Sequence, residues 1–286
     1  MSRRLVVTLA LALVAGGIAA VMLRADPLVP RGAPTQRAMA DDLGAGVMAH
    51  LWRGHVPGRS GELLVIPKPH HFLINEWDLR TLATDNPFEK TTHPGPWDYL
   101  VRVPIVVAGQ GIEPGRSERP VDIAALAPTY ARLLGMDDFT SASCSLEEVI
   151  ACDARGGAED PPDVIFTVVI DGGGWNLLRR YPDAWPNIRA LMDAGLVYDN
   201  ATIGSSPSTT GALHATIGTG YFPVDHGLPG NVLRTPEGDI EDVFLHNADP
   251  RYLEKPTVGE LWDEANGNDP IVATVSFEGW HLGMIG

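Results

Sequence analysis

An apolar run that ends at an acidic residue and three glycines places the strongest constraint on the fold of this chain. Residues Val164 to Ile170 read VIFTVVI, which predicts an almost wholly apolar strand, and Asp171 is followed by Gly172 to Gly174. Glycines let the backbone turn sharply and approach a ligand. Ligands bind at the carboxyl ends of such strands, so Asp171 is a candidate site residue, although Asp-Gly is also an ordinary turn.

Strands and helices alternate after this point, which predicts an α/β fold with a mostly parallel sheet and helices on both of its faces. The predicted elements are the strands Val164–Ile170, Leu196–Tyr198 and Ile271–Ser276 and the helices Trp185–Ala194, Gly211–Gly218 and Thr257–Asn266.

The first half of the chain contains two strand candidates, Glu62–Pro67 and Val101–Ala108, and a helical pattern over Val121–Leu134. Turn-forming residues at 154–162 predict an internal linker. We therefore expect two modules, residues 41–153 and residues 163–286.

The N-terminus resembles a targeting segment. Arg3 and Arg4 precede Leu5 to Leu23, an apolar run without a charged residue. Residues 1–24 are predicted to be a single-pass membrane anchor, with the arginines inside and the body of the chain outside the cytoplasm. The alternative is a cleaved signal peptide and a secreted protein. Residues 25–40, rich in Pro, Ala and Arg, would be a linker.

Charge and cysteine usage limit the partners and the compartment. The chain has 36 acidic and 21 basic residues, a formal charge of −15, which disfavours nucleic acid as a partner. Its two cysteines, Cys144 and Cys152, are close in sequence and could form a local disulfide in an oxidising compartment. Two unpaired thiols or, less readily, a zinc pair are the alternatives.

Hydroxyl residues cluster before the helix at Gly211. The segment from Ser205 to Thr210 reads SSPSTT and enters that helix at its N-terminus. Free backbone N–H groups and the helix dipole favour an anion there. The alternative is a plain N-cap, for which Ser and Thr are preferred.

These residues carry a family resemblance. Asp171-Gly172, Thr210 with His214 four residues later, the segment TGYFPVDHG at 219–227 and Asn231 resemble the type I phosphodiesterase/nucleotide pyrophosphatase branch of the alkaline phosphatase superfamily. The family pattern runs Asp-Gly, a nucleophilic Thr before Asn-His, Thr-Gly-x-x-Pro-x-x-His-Gly and then Asn. This chain departs from the pattern at 211–213, where an aromatic residue, Pro and Asn are usual, and the departure makes recognition of a nucleotide base doubtful.

The resemblance implies a catalytic site. Asp171 would be a metal ligand, and Thr210 would be both a metal ligand and the nucleophile. Asn231 and the backbone of Thr210 and Gly211 would stabilise the phosphoryl oxygens, while His214 and His226 would be structural. The resemblance also implies two metal ions in a complete site. Zinc is the expected metal, because it suits carboxylate and imidazole ligands.

A second part of the resemblance precedes the first in this chain. Residues 92–99, THPGPWDY, and the following RVPI and DIA segments resemble the superfamily's C-terminal end. This order predicts a circular permutation, which closely spaced termini make feasible. His93 would ligate the second metal, the alternative being an ordinary loop histidine. The family's remaining ligands, an Asp with His four residues later and an Asp-His pair, do not occur between Asn231 and Gly286, so we expect them in a longer reading frame.

The sequence therefore predicts a metal-dependent phosphoester hydrolase that forms a covalent phosphothreonine. Its substrate would be a small phosphoester, either a nucleotide or a lipid or glycan phosphodiester. Two alternatives remain, a non-catalytic membrane-anchored binding protein of the same fold and a transferase that moves a phospho-group to a lipid or glycan.

Overall fold

The structure is a computed structural model that describes residues 5–10, 45–71, 93–244, 249–276 and 281. Its strands are β1 (Leu5–Ala10), β2 (Ile105–Gly109), β3 (Gly115–Ser117), β4 (Val121–Asp122), β5 (Val164–Val169), β6 (Leu196–Tyr198), β7 (Ala201–Thr202), β8 (Val232–Arg234) and β9 (Ile240–Asp242). Its α-helices are α1 (Ala45–Gly54), α2 (Asp98–Val101), α3 (Leu126–Leu133), α4 (Trp175–Arg180), α5 (Pro186–Ala194), α6 (Thr210–Thr219), α7 (Pro223–His226) and α8 (Val258–Ala265).

Five strands form the central sheet in the order β3-β6-β2-β1-β5. β1 pairs in parallel with β5, and β3 pairs in parallel with β6, but β2 is antiparallel to both of its neighbours. The fold is α/β as expected, but the sheet is mixed. The alternation that predicted parallel strands lies in the second half of the chain, and β5 and β6 do run in the same direction. The reversed strand β2 comes from the first half.

Helices cover both faces of the sheet because neighbouring residues of a strand point to opposite sides. Ile105 and Val107 of β2 belong to a buried cluster that includes residues of α3, α6 and α8. Val106, between them, belongs to a second cluster with Leu178 of α4 and Met192 of α5. Strands from both predicted modules therefore share one core.

Two predicted strands are absent from the described residues. The segments Glu62–Pro67 and Ile271–Ser276 have no regular structure. Leu63 is 82% exposed and Ile271 is 95% exposed. An apolar run becomes a strand only when a neighbouring strand satisfies its backbone groups, and no strand in the described part of the chain pairs with either segment.

Two other predictions were correct only in part. The predicted strand Val101–Ala108 begins late, at Ile105, because α2 extends to Val101 and Pro104 offers no N–H donor. The predicted helix Val121–Leu134 begins with β4 and a 3-10 turn, Ile123–Ala125, before α3. The side chain of Asp122 caps that turn by accepting the N–H of Ala124 at 3.1 Å.

The cysteines form the local disulfide. Cys144 is bonded to Cys152, with Cα atoms 5.4 Å apart. The bond closes the loop that contains Leu146, a fully buried member of the main core cluster. The alternatives of free thiols and of a zinc pair are therefore excluded for these two residues.

The N-terminal prediction is only partly covered by the structure. Leu5–Ala10, the start of the predicted anchor, form β1 between β2 and β5. Residues 11–24 of the anchor and the predicted linker 25–40 lie outside the described residues. Among the residues that the structure describes, no helix has the length and apolar character needed to cross a membrane. The anchor remains a prediction.

Candidate active site

Asp171 lies just beyond the carboxyl end of β5, as the sequence predicts. Gly172 has φ 76°, a conformation that favours glycine, so the chain turns directly after the carboxylate. The same edge of the sheet carries the amino end of the reversed strand β2, because Ile105 and Val169 both lie opposite Ala10. The turn therefore places Asp171 beside the segment that leads into β2.

Thr210 is the first residue of α6 and contacts Asp171. Its hydroxyl donates to Asp171 Oδ2 at 3.0 Å. The preceding Thr209 has the extended backbone of an N-cap residue, but its side chain makes no capping hydrogen bond. Thr210 is thus held at a helix N-terminus, where the backbone favours negative charge.

Asn231 lies beside the same helix end. Its Oδ1 accepts the N–H of Gly211 at 2.8 Å, which also identifies the oxygen of this amide. The sequence predicted that the backbone of Thr210 and Gly211 would donate to the phosphoryl oxygens. The Gly211 N–H already donates to Asn231, so it differs in this respect from the other predicted donors. The NH₂ group of Asn231 is left as the donor on that side chain.

Gly211 also explains a departure from the family pattern. A Cβ atom at this position would lie 2.7 Å from the carbonyl oxygen of Gly230 and 2.7 Å from Val243 Cγ2. Backbone cannot yield easily to such a contact, so the aromatic residue that is usual in the family does not fit here. The close approach brings the Gly230–Asn231 turn to the start of α6.

His93 reaches the site from the first half of the chain. Its Nε2 is 3.4 Å from Asp171 Oδ1. The hydroxyl of Ser208 donates to the carbonyl oxygen of His93, so the loop before α6 is bonded directly to the loop that carries the histidine. The structure thus brings together Asp171, Thr210 and His93, the three residues predicted as metal ligands.

Two further histidines lie beside Asp171. His281 Nε2 is 3.3 Å from Asp171 Oδ2, and the rings of His214 and His281 meet edge to face with centroids 4.5 Å apart. The sequence interpretation gave His214 a structural role and assigned none to His281. A signal existed for His214, since it lies four residues after Thr210 on the same helix face. His281 matched no ligand spacing.

The electrostatics of the cluster favour an ionised Asp171 carboxylate beside a neutral His214 imidazole. Burial by itself would raise the pKa of Asp171, but the hydrogen bond from His281, the charges of His93 and His214 and the Thr210 hydroxyl together hold that pKa well below its usual range. Burial lowers the pKa of His214 to about 4, only partly opposed by Asp171. At neutral pH, His214 is therefore uncharged.

The donor set fits a divalent metal such as zinc. Asp171, His214 and His281 each offer one ligand atom, and these atoms lie within 4.8 Å of one another. His214 Nδ1 is 2.9 Å from the carbonyl oxygen of Thr210, so it carries the proton and leaves Nε2 with a free lone pair. Carboxylate oxygen and imidazole nitrogen are zinc ligands.

A small, partly open cleft adjoins these groups. Its polar residues are Asp171, Thr209, Thr210 and His214. The rest of the lining is apolar and comes mainly from the segment before β2 and from α6: Val103, Pro104, Ile105, Ile123, Val169, Ile203, Leu213 and Ile217. The cleft can therefore hold a ligand with a polar group at the Asp171 end and an apolar remainder.

His226 occupies a supporting position behind α6. Its Nδ1 accepts the N–H of Leu228 at 3.2 Å, and its Nε2 lies 3.1 Å from the carbonyl oxygen of Ala212 and from the hydroxyl of Thr216. The ring is fully buried. These bonds require the neutral ring with its proton on Nε2, which joins the middle of α6 to the turn after α7.

Acid is expected to destabilise the protein through His226. Burial lowers the pKa of His226 to about 3, against 6.5 for an ordinary histidine. Between those pH values the unfolded chain therefore binds more protons than the folded chain. When the pH falls from 7 to 5, His226 should lower the free energy of unfolding by about 2 kcal/mol. Urea denaturation at both pH values, in wild type and His226→Gln, measures it. The variant should be less stable than the wild type at pH 7, but its free energy of unfolding should fall less between pH 7 and pH 5. An equal fall in both proteins would contradict the lowered pKa of His226 as the cause.

Comparison with known proteins agrees with the motifs. Residues 165–286 match the family model "Type I phosphodiesterase / nucleotide pyrophosphatase", consistent with that branch of the alkaline phosphatase superfamily. A stretch of 74 residues is 31% identical to a protein named "Calcium-transporting ATPase" from Myroides odoratus, covering 25% of this chain and 14% of that protein. No solved structure matches the chain. The family-model match over residues 165–286 includes Asp171, Thr210, Asn231 and His281.

Proposed function

We propose that this protein is a metal-dependent phosphoester hydrolase, close in activity to the phosphodiesterases and nucleotide pyrophosphatases, that forms a covalent phosphothreonine at Thr210. One observation carries the proposal: the Thr210 hydroxyl, at the start of α6, donates to the Asp171 carboxylate at 3.0 Å within the segment that matches the family. A positioned hydroxyl beside a carboxylate at a helix N-terminus is suited to phosphoryl transfer.

The covalent step takes place at Thr210. Its Oγ1 forms a bond to phosphorus while the ester P–O bond breaks and the alcohol leaves with a proton. Water then attacks the phosphothreonine, the Oγ1–P bond breaks, and phosphate or a phosphomonoester is released with the threonine hydroxyl restored. Asp171 Oδ2, which accepts a hydrogen bond from the Thr210 hydroxyl in the free protein, holds Oγ1 in place for the attack.

Asp171, Thr210 and His93 are the residues that we propose as zinc ligands, with two ions in a complete site. Bound zinc would lower the pKa of the attacking hydroxyl and neutralise charge on the phosphoryl group. The site needs such local cations, because the protein as a whole has a net charge of −15 and repels an anionic substrate.

Asn231 and the N-terminus of α6 would stabilise the phosphoryl oxygens. The bond from Gly211 N–H orients the side chain of Asn231, so its NH₂ group is already fixed for donation. Such preorganised donors act on charge that develops in the transition state.

The substrate that we propose is a small phosphodiester, from a nucleotide or from a lipid or glycan. The mainly apolar cleft favours an apolar group beside the phosphate over a strictly polar ester. We also propose that the site lies outside the cytoplasm, with residues 1–24 attaching the protein to the membrane or directing its secretion; either role would require Leu5–Ala10 to leave the sheet in which they form β1. The Cys144–Cys152 disulfide is in keeping with that compartment.

Removal of metal should abolish hydrolysis reversibly. We expect the native protein to cleave bis-p-nitrophenyl phosphate, to lose that activity on treatment with a chelator, and to regain it on addition of zinc. The p-nitrophenyl sulfate ester is the matched control and should not be cleaved. ATP is a further test substrate, since the partial relative is named as an ATPase.

The same assay separates the alternatives. Activity that persists after complete metal removal would contradict the proposal. Transfer to an added alcohol in preference to water would indicate a transferase. Zinc binding without turnover of any diester, monoester or anhydride would favour a binding protein.

A further inference from the structure

We propose that His214 and His281 are metal ligands and hold one divalent cation together with the Oδ2 atom of Asp171. The inference rests on the proposed function, because it names which residues of this chain hold a metal beside the nucleophile. It adds two residues that the motifs did not assign to the metal set.

The two carboxylate oxygens of Asp171 face different groups of side chains. Its Oδ1 atom faces His93, at 3.4 Å. Its Oδ2 atom faces the Thr210 hydroxyl at 3.0 Å and His281 Nε2 at 3.3 Å. One carboxylate therefore presents an oxygen to each of two groups of donors, which is how a carboxylate can serve two neighbouring cations.

Three potential metal ligands converge beside Thr210. The ligand atoms of Asp171, His214 and His281 lie within 4.8 Å of one another. Zinc bonds of about 2.0–2.1 Å place the ligands of one ion roughly 3 to 3.5 Å apart, so the three groups need only a small inward shift to surround an ion. No change in the backbone path is required for such a shift of side chains.

The ring of His214 is oriented for metal binding. The bond from His214 Nδ1 to the Thr210 carbonyl directs the lone pair of Nε2 away from the helix backbone. This is the arrangement in which a ligating histidine is held by a second bond to a backbone carbonyl. His214 is buried and lines the cleft beside Asp171, where an ion would take the place of its edge-to-face contact with the ring of His281.

The geometry also couples the cation to the nucleophile. Thr210 accepts from His214 through its carbonyl and donates to Asp171 through its hydroxyl. An ion held by His214, His281 and Oδ2 would therefore lie next to Oγ1, on the side of the carboxylate opposite His93. His93 would serve the other cation.

Cobalt spectroscopy on the intact chain tests this directly. The metal-free protein is titrated with Co²⁺, in wild type and in the variants His281→Ala and His281→Cys. We expect the alanine variant to bind Co²⁺ at least about tenfold more weakly. The cysteine variant should bind it and show a thiolate-to-cobalt charge-transfer band, since such a band requires sulfur in the coordination sphere.

The matched control is His55→Cys. His55 lies in the loop after α1, outside the cluster, and its cysteine should add no charge-transfer band. His214→Gln is the second ligand variant and should also weaken Co²⁺ binding, with circular dichroism to verify that the protein is folded. His93→Ala should leave the charge-transfer band of His281→Cys in place when the two changes are combined.

The result that would overturn the inference comes from Co²⁺ binding alone and needs no substrate. Wild-type Co²⁺ affinity in His281→Ala, together with no band in His281→Cys, would remove His281 from the metal set. A rise in KM alone in His281→Ala would then make it a substrate contact. If instead the band appears but the wild type hydrolyses no phosphoester, the proposed function fails while the metal assignment stands.

Discussion

Replacing Thr210 with alanine should lower the rate of phosphodiester hydrolysis by on the order of 10³-fold or more, since the change removes the proposed nucleophile. The fold should remain, because the lost hydrogen bond to Asp171 is worth only about 1 kcal/mol and alanine is the stronger helix former. Hydrolysis of bis-p-nitrophenyl phosphate gives the rate, and thermal unfolding followed by circular dichroism gives the stability.

Two companion variants make the result specific to the hydroxyl. Thr210→Ser keeps a hydroxyl at the same place and should retain part of the activity. Thr140→Ala removes an exposed hydroxyl that bonds to Tyr221, near the opposite end of α6, and should behave as wild type.

Quenching the reaction with acid should trap phosphate on Thr210, which peptide mass spectrometry would locate. Turnover at the wild-type rate in Thr210→Ala would end the phosphothreonine mechanism.

Replacing Asp171 with asparagine should weaken zinc binding by at least about 100-fold, because the amide keeps the shape of the side chain but removes its negative charge. His93 Nε2 and His281 Nε2 lie 3.4 Å and 3.3 Å from this carboxylate, so both would lose their acidic partner. Zinc content after dialysis and titration calorimetry with zinc measure the effect.

The control for that change is Asp249→Asn. Asp249 is bonded to Arg251 outside the cluster, so its loss should leave zinc content unchanged. Full zinc occupancy in Asp171→Asn would show that the carboxylate is not a metal ligand, even if the activity were lost. Loss of zinc with retained diester hydrolysis would instead contradict the need for metal.

Local patterns in the sequence determined much of the structure around Thr210. The strand before Asp171, the helix that begins near Thr210 and the helix at Val258–Ala265 all match their predictions within a few residues. These elements have strong local signals: a β-branched run closed by glycines, hydroxyl residues before a helix, and Thr257, which caps its helix by accepting the N–H of Glu260. The positions of Asp171 after a strand and of Thr210 at the start of a helix were predictable for the same reason.

The tertiary structure alone decided which side chains meet Asp171. His281 is 110 residues away in sequence, and no spacing rule links the two. His93 reaches the same carboxylate from the other half of the chain, by way of the segment before the reversed strand β2. The closeness of Gly211 to Gly230, which leaves no space for a side chain, also lies outside any local pattern. A sequence specifies local conformation through neighbouring residues, whereas the position of a distant side chain depends on how the whole sheet and its covering helices pack.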